Sequence, residues 1–267
     1  MSASQRVLVI GDIHGELEKL VTVLRDAGLL DEALSWRGGS STVWFMGDFF
    51  DRGPDGIAVV DFIMRLQQEA TTAGGSIHSL LGNHEVLILS AHRFAKAPAG
   101  GPGGTFYSAW KGNGGQDTDL AKLTPGHIEW IMNLPAMALS RDRLLIHADS
   151  ALYMDYGSSV EEVNQAITSL LRSDDISEWD LLLDEFTRRE FDQSRPHGKE
   201  RAMQVLHCIG GQQIIHGHTP ISLITKQSPE EITEPLMYAD GLCINVDGGM
   251  YLGGPGVFYE LSPVVPV

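Results

Sequence analysis

An α/β fold whose chemistry gathers at the carboxyl ends of parallel strands is the architecture this sequence predicts. Three observations carry that reading. Short apolar runs of strand length alternate with segments of helical periodicity through the first half of the chain. Glycine-flanked turns holding Asp, Asn and His follow those runs directly: Gly11-Asp12-Ile13-His14-Gly15, Gly47-Asp48-Phe49-Phe50-Asp51-Arg52-Gly53 and Gly82-Asn83-His84-Glu85. Two more histidine-bearing turns, Ile146-His147-Ala148-Asp149 and Ile215-His216-Gly217-His218-Thr219-Pro220, stand in the second half.

The elements follow in order. Residues 7–10, 42–46 and 76–81 read as strands, being short, apolar or β-branched. Between the first two, residues 16–28 place Leu17, Leu20, Val21 and Leu24 on one helical face, with Gly28 as the stop. Residues 54–68 repeat the pattern with Ile57, Val60, Ile63 and Met64, and Pro54 suits a first helical turn. Strand–helix–strand order implies right-handed parallel units, with the intervening loops collected at one end of the sheet. Residues 98–104, built of Pro, Ala and Gly, read as a surface loop. Thr124-Pro125 opens a helix running to about Leu134, and residues 144–146 form the strand leading to His147. Residues 159–209 read as mostly helical, and strands return from Gln213, including 243–247 and 257–261.

Bulk properties bound the function. The 267 residues suit one large domain spanning 1–267, with a helical, acidic insertion at about 155–209. From Asp155 to Arg195 eleven acidic side chains face four arginines. The net charge of −16, without a lysine- or arginine-rich cluster, speaks against a nucleic-acid partner. No apolar run reaches about 18 residues, so no membrane partner is expected. The first residues lead into a strand rather than a signal-peptide core. Cys208 and Cys243 form no disulfide framework and suit a reducing, cytoplasmic setting.

Asp12 and His14 are two apart at a strand end, so both side chains reach the same side. Carboxylate plus imidazole favours a borderline divalent ion such as manganese, iron or zinc over magnesium or calcium. Asp48 offers two oxygens and could bridge two ions. Asn83, His147 and His218 add neutral donors, which leaves a dinuclear centre positive enough to attract a phosphate. Two cations about 3.5–4 Å apart suit in-line displacement at phosphorus. His84, next to Asn83, is the natural general acid; Asp51 could orient it and Arg52 could grip phosphate oxygens.

These runs, with Trp110-Lys111-Gly112-Asn113-Gly114-Gly115, Leu134-Pro135 and Asn245-Val246-Asp247-Gly248, resemble the calcineurin-like metallophosphoesterases. The branch resembled holds phosphoprotein phosphatases and symmetrical diadenosine tetraphosphate hydrolases, and the likeness spans nearly the whole chain. It implies a four-layer α/β sandwich, two central mixed β-sheets packed face to face and flanked by helices. It implies a first metal on Asp12, His14 and Asp48 and a second on Asp48, Asn83, His147 and His218. His84 would be the acid, Asp51 its partner, and Arg52, Asn83 and His84 would meet the substrate. The implied reaction is attack of a metal-bridging hydroxide on a phosphomonoester, with two divalent ions, manganese first, as cofactors. The implied substrate is a phosphorylated protein or a small phosphate ester; a dinucleoside polyphosphate is the alternative, and a non-catalytic metal-binding module a third reading.

Two positions depart from the family pattern. Asp149 stands where glycine often follows His-Ala, and its role is open; Pro220 replaces a histidine typical of diesterase and nuclease branches. His216 reads as a core histidine, and His78, His92, His127, His197 and His207 belong to no cluster. Asn113 and Asp247 are placed at the site by resemblance, with turn stabilisation an equal reading. Arg188, Arg189 and Arg195 could supply a second phosphate contact, but a solvated helix face is the simpler expectation.

Overall fold

The computed structural model describes residues 5–100, 104–192 and 195–262. In chain order the regular elements are β1 (Val7–Ile10), α1 (Leu17–Asp26), β2 (Thr42–Phe45), α2 (Gly56–Thr72), β3 (Ser76–Ser79), α3 (Asn83–Phe94) and α4 (Phe106–Gly112). They continue with α5 (Asp117–Lys122), α6 (Pro125–Met132), β4 (Met137–Ser140), β5 (Arg143–Ile146), α7 (Val160–Arg172), α8 (Ile176–Phe186) and α9 (Gly198–Ile209). The last are β6 (Gln213–His216), α10 (Ile221–Thr225), β7 (Leu236–Tyr238), β8 (Cys243–Asn245) and β9 (Phe258–Glu260).

Two sheets result. The first has the order β3-β2-β1-β9, with β1, β2 and β3 parallel and β9 antiparallel to β1. The second has the order β4-β5-β6-β8-β7, parallel through β5, β6 and β8 and antiparallel at both edges. The pleat sends alternate residues to opposite faces. Val7 and Val9 of β1 therefore share one buried cluster with Leu145, Ile215 and Ile244 of the other sheet, which forms the seam between the sheets. Leu8, Ile10, Val43 and Phe45 face the other way, packing with Leu20 and Leu24 of α1 and Val59, Ile63 and Leu66 of α2. Leu144, Ile146, Ile214 and Cys243 likewise pack with Ile167 of α7 and Ala202 and Val205 of α9. The layers are thus helix, sheet, sheet, helix, as the resemblance implied.

The helix signals operate as expected at several ends. Gly28, at φ 73°, closes α1 in the left-handed conformation, and Leu29 N–H returns to Leu24 O at 2.9 Å. Thr124 Oγ1 accepts the His127 N–H at 3.3 Å and caps α6. Other boundaries differ from the sequence reading. Helix α2 starts at Gly56, so Pro54 lies just outside its Asp55 N-cap rather than in the first turn. Strands β2 and β3 end at Phe45 and Ser79, earlier than 46 and 81. Helix α3 begins directly at Asn83, because the Glu85 carboxylate turns back to accept the Gly82 N–H at 2.9 Å. Part of the expected loop at 98–104, residues 101–103, lies outside the described residues. In the acidic stretch, α7 packs on β4 and α9 on β6, and α8 packs on α3.

Candidate metal centre

Every predicted ligand follows a strand from the parallel part of one of the two sheets. Asp12 and His14 follow β1, Asp48 follows β2 and Asn83 follows β3; His147 follows β5 and His218 follows β6. Close backbone approach brings the two sets together. A Cβ on Gly217 would stand 2.0 Å from Asp12 Oδ1, so only glycine lets the β6 loop reach the β1 loop. His218 then donates its backbone N–H to both Asp12 oxygens, at 3.1 and 2.9 Å. His14, Asp48, Asp51, Arg52 and His218 all hold positive φ, between 48° and 69°. Non-glycine residues adopt this conformation at some cost, and such strain characteristically collects where side chains must converge.

Donor atoms of His14, Asp48 and His84 lie within 4.8 Å of one another, as do those of Asp48, His147 and His218. Asp48 belongs to both groups, the position a bridging carboxylate requires. His147 Nε2 approaches Asp48 Oδ1 at 3.3 Å and His14 Nε2 approaches Asp48 Oδ2 at 3.5 Å. Asn83 Oδ1 lies 3.0 Å from His147 Nε2 and 2.9 Å from His218 Nδ1, so those donors converge on one point. Asp12 stands apart from both groups, buried on the His218 amide.

The donor chemistry fits divalent cations. His14 and His147 each give Nδ1–H to a backbone carbonyl, Phe50 O and Met46 O, both at 2.8 Å. That fixes the tautomer and turns each Nε2 lone pair inward, a support typical of metal-ligating imidazoles. Burial first, then neighbouring positive charge, holds His14 and His218 well below the usual imidazole range, so both rings are neutral donors. Burial raises Asp48, but His147, His84 and His14 outweigh it and hold the carboxylate well below its ordinary value. Burial lowers His147, yet contact with Asp48 pushes it up to about 10. A cation there would take the place of that proton. Buried His84 Nε2 and His218 Nε2 have no hydrogen-bond partner, a loss of about 1–3 kcal/mol each unless something meets them.

A second set of contacts shapes His84 and Arg52. His84 Nδ1 lies 2.7 Å from Asp51 Oδ2, and Trp110 donates Nε1–H to Asp51 Oδ1 at 2.7 Å. The glycines after Trp110 make this possible: a Cβ on Gly115 would strike the indole at 2.3 Å. Gly114 O accepts the Arg52 N–H at 2.8 Å. The Arg52 guanidinium lies 4.1 Å over the Tyr251 ring and 2.8 Å from His14 Nε2.

Four participants were not assigned these parts from sequence. Glu85 accepts Asp48 N–H, Phe49 N–H and Gly82 N–H at 2.7–2.9 Å, clamping two ligand loops. Its only signal was its place three residues after Gly82. Trp110 belongs to the run that resembles the family but has no chemistry of its own to mark a role, and Tyr251 carries no local signal. Arg189 departs from the solvated reading: it donates to His218 O at 3.4 Å, and its Nε is buried without a partner. Arg188 does face outward, beside Glu185. His216 is a core histidine, bonded to Gly217 O and Tyr238 OH. Asn113 is exposed and bonds Ala109 O of its own helix, whereas Asp247 is buried and braces the Gly249 N–H.

A family model, that of the calcineurin-like phosphoesterases, matches residues 5–222. The chain belongs to that family. Members characteristically hold a dinuclear metal site, and the two donor groups sharing Asp48 are candidate ligand clusters for such a site. Among relatives, the chain is 42% identical over 83 residues to Shewanella-like protein phosphatase 2 of Arabidopsis thaliana, a match covering 31% of this chain and 21% of that protein. It therefore spans about a fifth of that relative's length. It is 23% identical over 235 residues to a symmetrical bis(5'-nucleosyl)-tetraphosphatase of Vibrio cholerae, covering 85% of this chain and 74% of that protein. The solved cold-active protein-tyrosine phosphatase of a psychrophilic Shewanella superposes with TM-score 0.72 at 21% identity, covering 97% of this chain and 76% of that one. The last comparison bears on the fold, which it shares.

Proposed function

We propose that this chain is a metal-dependent phosphatase acting on phosphomonoesters, with a phosphorylated protein as its first substrate class. One observation carries the reading: His84 is held by Asp51 through Nδ1 while its buried Nε2 stays unpartnered, 4.0 Å from the shared carboxylate Asp48. A purely structural metal site has no use for an imidazole oriented in this way. Two divalent cations, manganese before iron or zinc, would supply Lewis acidity and a water made acidic enough to attack the ester. Asp12, His14, Asp48, Asn83, His147 and His218 are the residues proposed to hold them. His84 gives a proton to the departing alkoxide from Nε2, and Asp51 holds the ring in place through Nδ1. Arg52 presents its planar fork to phosphate oxygens, and Arg189 approaches from the His218 side. A cytoplasmic setting for the free thiols of Cys208 and Cys243 belongs to the same proposal.

A groove favours phosphopeptide over polyphosphate. A cavity of about 560 Å³ runs between α3, α4 and α8 past Leu87, Asn113, Asp180, Asp184 and Thr187. Asn113 adjoins the Gly114 that braces Arg52, and Thr187 is two residues from Arg189. Carboxylates on that wall suit basic residues flanking a phosphorylated side chain and repel a chain of phosphates. The test compares turnover of a basic phosphopeptide, an aryl phosphate and diadenosine tetraphosphate with added manganese. The expected result is hydrolysis of the first two, with the tetraphosphate slow and its rate rising with salt. Preferred cleavage of the tetraphosphate would transfer the assignment to dinucleoside polyphosphates. No hydrolysis of any of the three would leave a metal-binding module.

A further inference from the structure

We infer that Asp149 is a positioning residue that joins the two histidine-bearing loops to the segment carrying Arg189, and thereby keeps that guanidinium at the centre. The inference rests on the phosphatase reading above. Asp149 is wholly buried yet belongs to neither group of metal donors. Its contacts close a ring. Thr219 donates Oγ1–H to Asp149 Oδ1 at 2.6 Å. The carbonyl of His218, next along the chain, accepts from Arg189 Nη2. The N–H groups of Glu190 and Phe191, which follow Arg189, return to Asp149 O at 2.8 and 3.2 Å.

Each corner of this ring bears on the site. Asp149 is two residues beyond His147, Thr219 follows His218, and Glu190 follows Arg189. The side chains also leave matching needs unmet, since Asp149 Oδ2 and Arg189 Nε are both buried without hydrogen-bond partners. A buried carboxylate with one oxygen left unpartnered is costly unless a positive charge is near. Arg189 supplies a positive charge whose field reaches Asp149. Leaving for solvent would strip Asp149 of that compensation, whereas Arg188 next door is free to lie beside Glu185. Glycine at this position, as the family often has, would keep the backbone arm of the ring but lose the charge. The carboxylate therefore acts on substrate through Arg189.

A double-mutant cycle tests this, using the manganese-loaded 267-residue chain, an aryl phosphate as substrate and inorganic phosphate as inhibitor. Arg189→Gln is expected to raise KM and the phosphate inhibition constant roughly tenfold, in keeping with loss of a charge-assisted contact. Asp149→Asn, which retains the acceptor for Thr219, should raise both several-fold with unchanged metal content. The double variant should be no worse than Arg189→Gln alone, since the first change acts only through the second. Multiplicative effects would overturn the inference, as would loss of metal in Asp149→Asn. Should that variant not fold, Asp149→Gly takes its place in the cycle. If neither folds, Asp149 serves stability alone and the inference fails. Calorimetry of inorganic phosphate binding reads the same coupling without turnover, so an inactive wild type would sink the phosphatase reading and leave this one measurable.

Discussion

His84 has one ring nitrogen tied to a carboxylate and the other facing the shared Asp48 without a partner, and this asymmetry fits it to proton transfer. Its ring also belongs to one of the two donor groups, so a ligand role is the rival to exclude. Replacing His84 by Ala should leave two equivalents of metal and lower kcat roughly 10²–10⁴-fold, the usual worth of a general acid. Elemental analysis showing one equivalent would make it a ligand instead. For Arg52, stacked on Tyr251, the Arg52→Ala variant should raise KM for an aryl phosphate about tenfold at constant metal content. Kinetics indistinguishable from wild type would remove the clamp. These roles were legible in Gly47–Gly53 and Gly82–Glu85 because spacing within a turn limits where side chains reach. Arg189 was not, since its neighbour His218 is 29 residues away in sequence and only packing makes them meet.

At the scale of elements, α2 shows how the loop bearing Asp51 and Arg52 is anchored. Its N-cap Asp55 makes no side-chain bond, and Asp119 from α5 supplies the acceptor instead, bonding the Ile57 N–H at 3.1 Å. Gly56 is required there because a Cβ would meet Asp119 Oδ2 at 2.3 Å. Burial first, then the charge of Asp51, pushes Asp119 up to about 6 from an ordinary 3.8. The folded chain thus binds this proton more tightly than the unfolded one. The stability it contributes is present below the unfolded value and is lost as pH rises through about 6. Asp119→Asn should therefore flatten the loss of stability across this window, measured by urea melts on the metal-free protein. Parallel pH profiles for the two proteins would show that the carboxyl does not titrate there. No local pattern announced this cap, because acceptor and helix are separated by 62 positions.

Across the whole molecule, both sheets depend on the same few atoms at their shared end. The centre crowds buried carboxylates and imidazoles, and burial together with the neighbouring Asp247 raises Asp12 well above its usual range. A bound cation relieves this only in the folded state. Manganese at about 100 times its dissociation constant should add roughly 2.7 kcal/mol, raising Tm on the order of 5–10 °C. A chelator should reverse the shift, and Asp48→Asn should abolish it. An unchanged Tm at saturating metal would mean that these side chains hold no cation in common.

By itself the sequence determined the strand–helix alternation, the turns that carry donors and the order in which they come, because periodicity and glycine placement act over a few residues. It also marked the family, since five separate runs rarely recur together by chance. Tertiary structure decided how Trp110 braces Asp51 behind His84, how Glu85 clamps two of the donor-bearing loops, and why Arg189 turns inward. Those outcomes depend on burial and on contacts between segments far apart in the chain, where desolvation makes each unpaired charge seek a partner that no local pattern names.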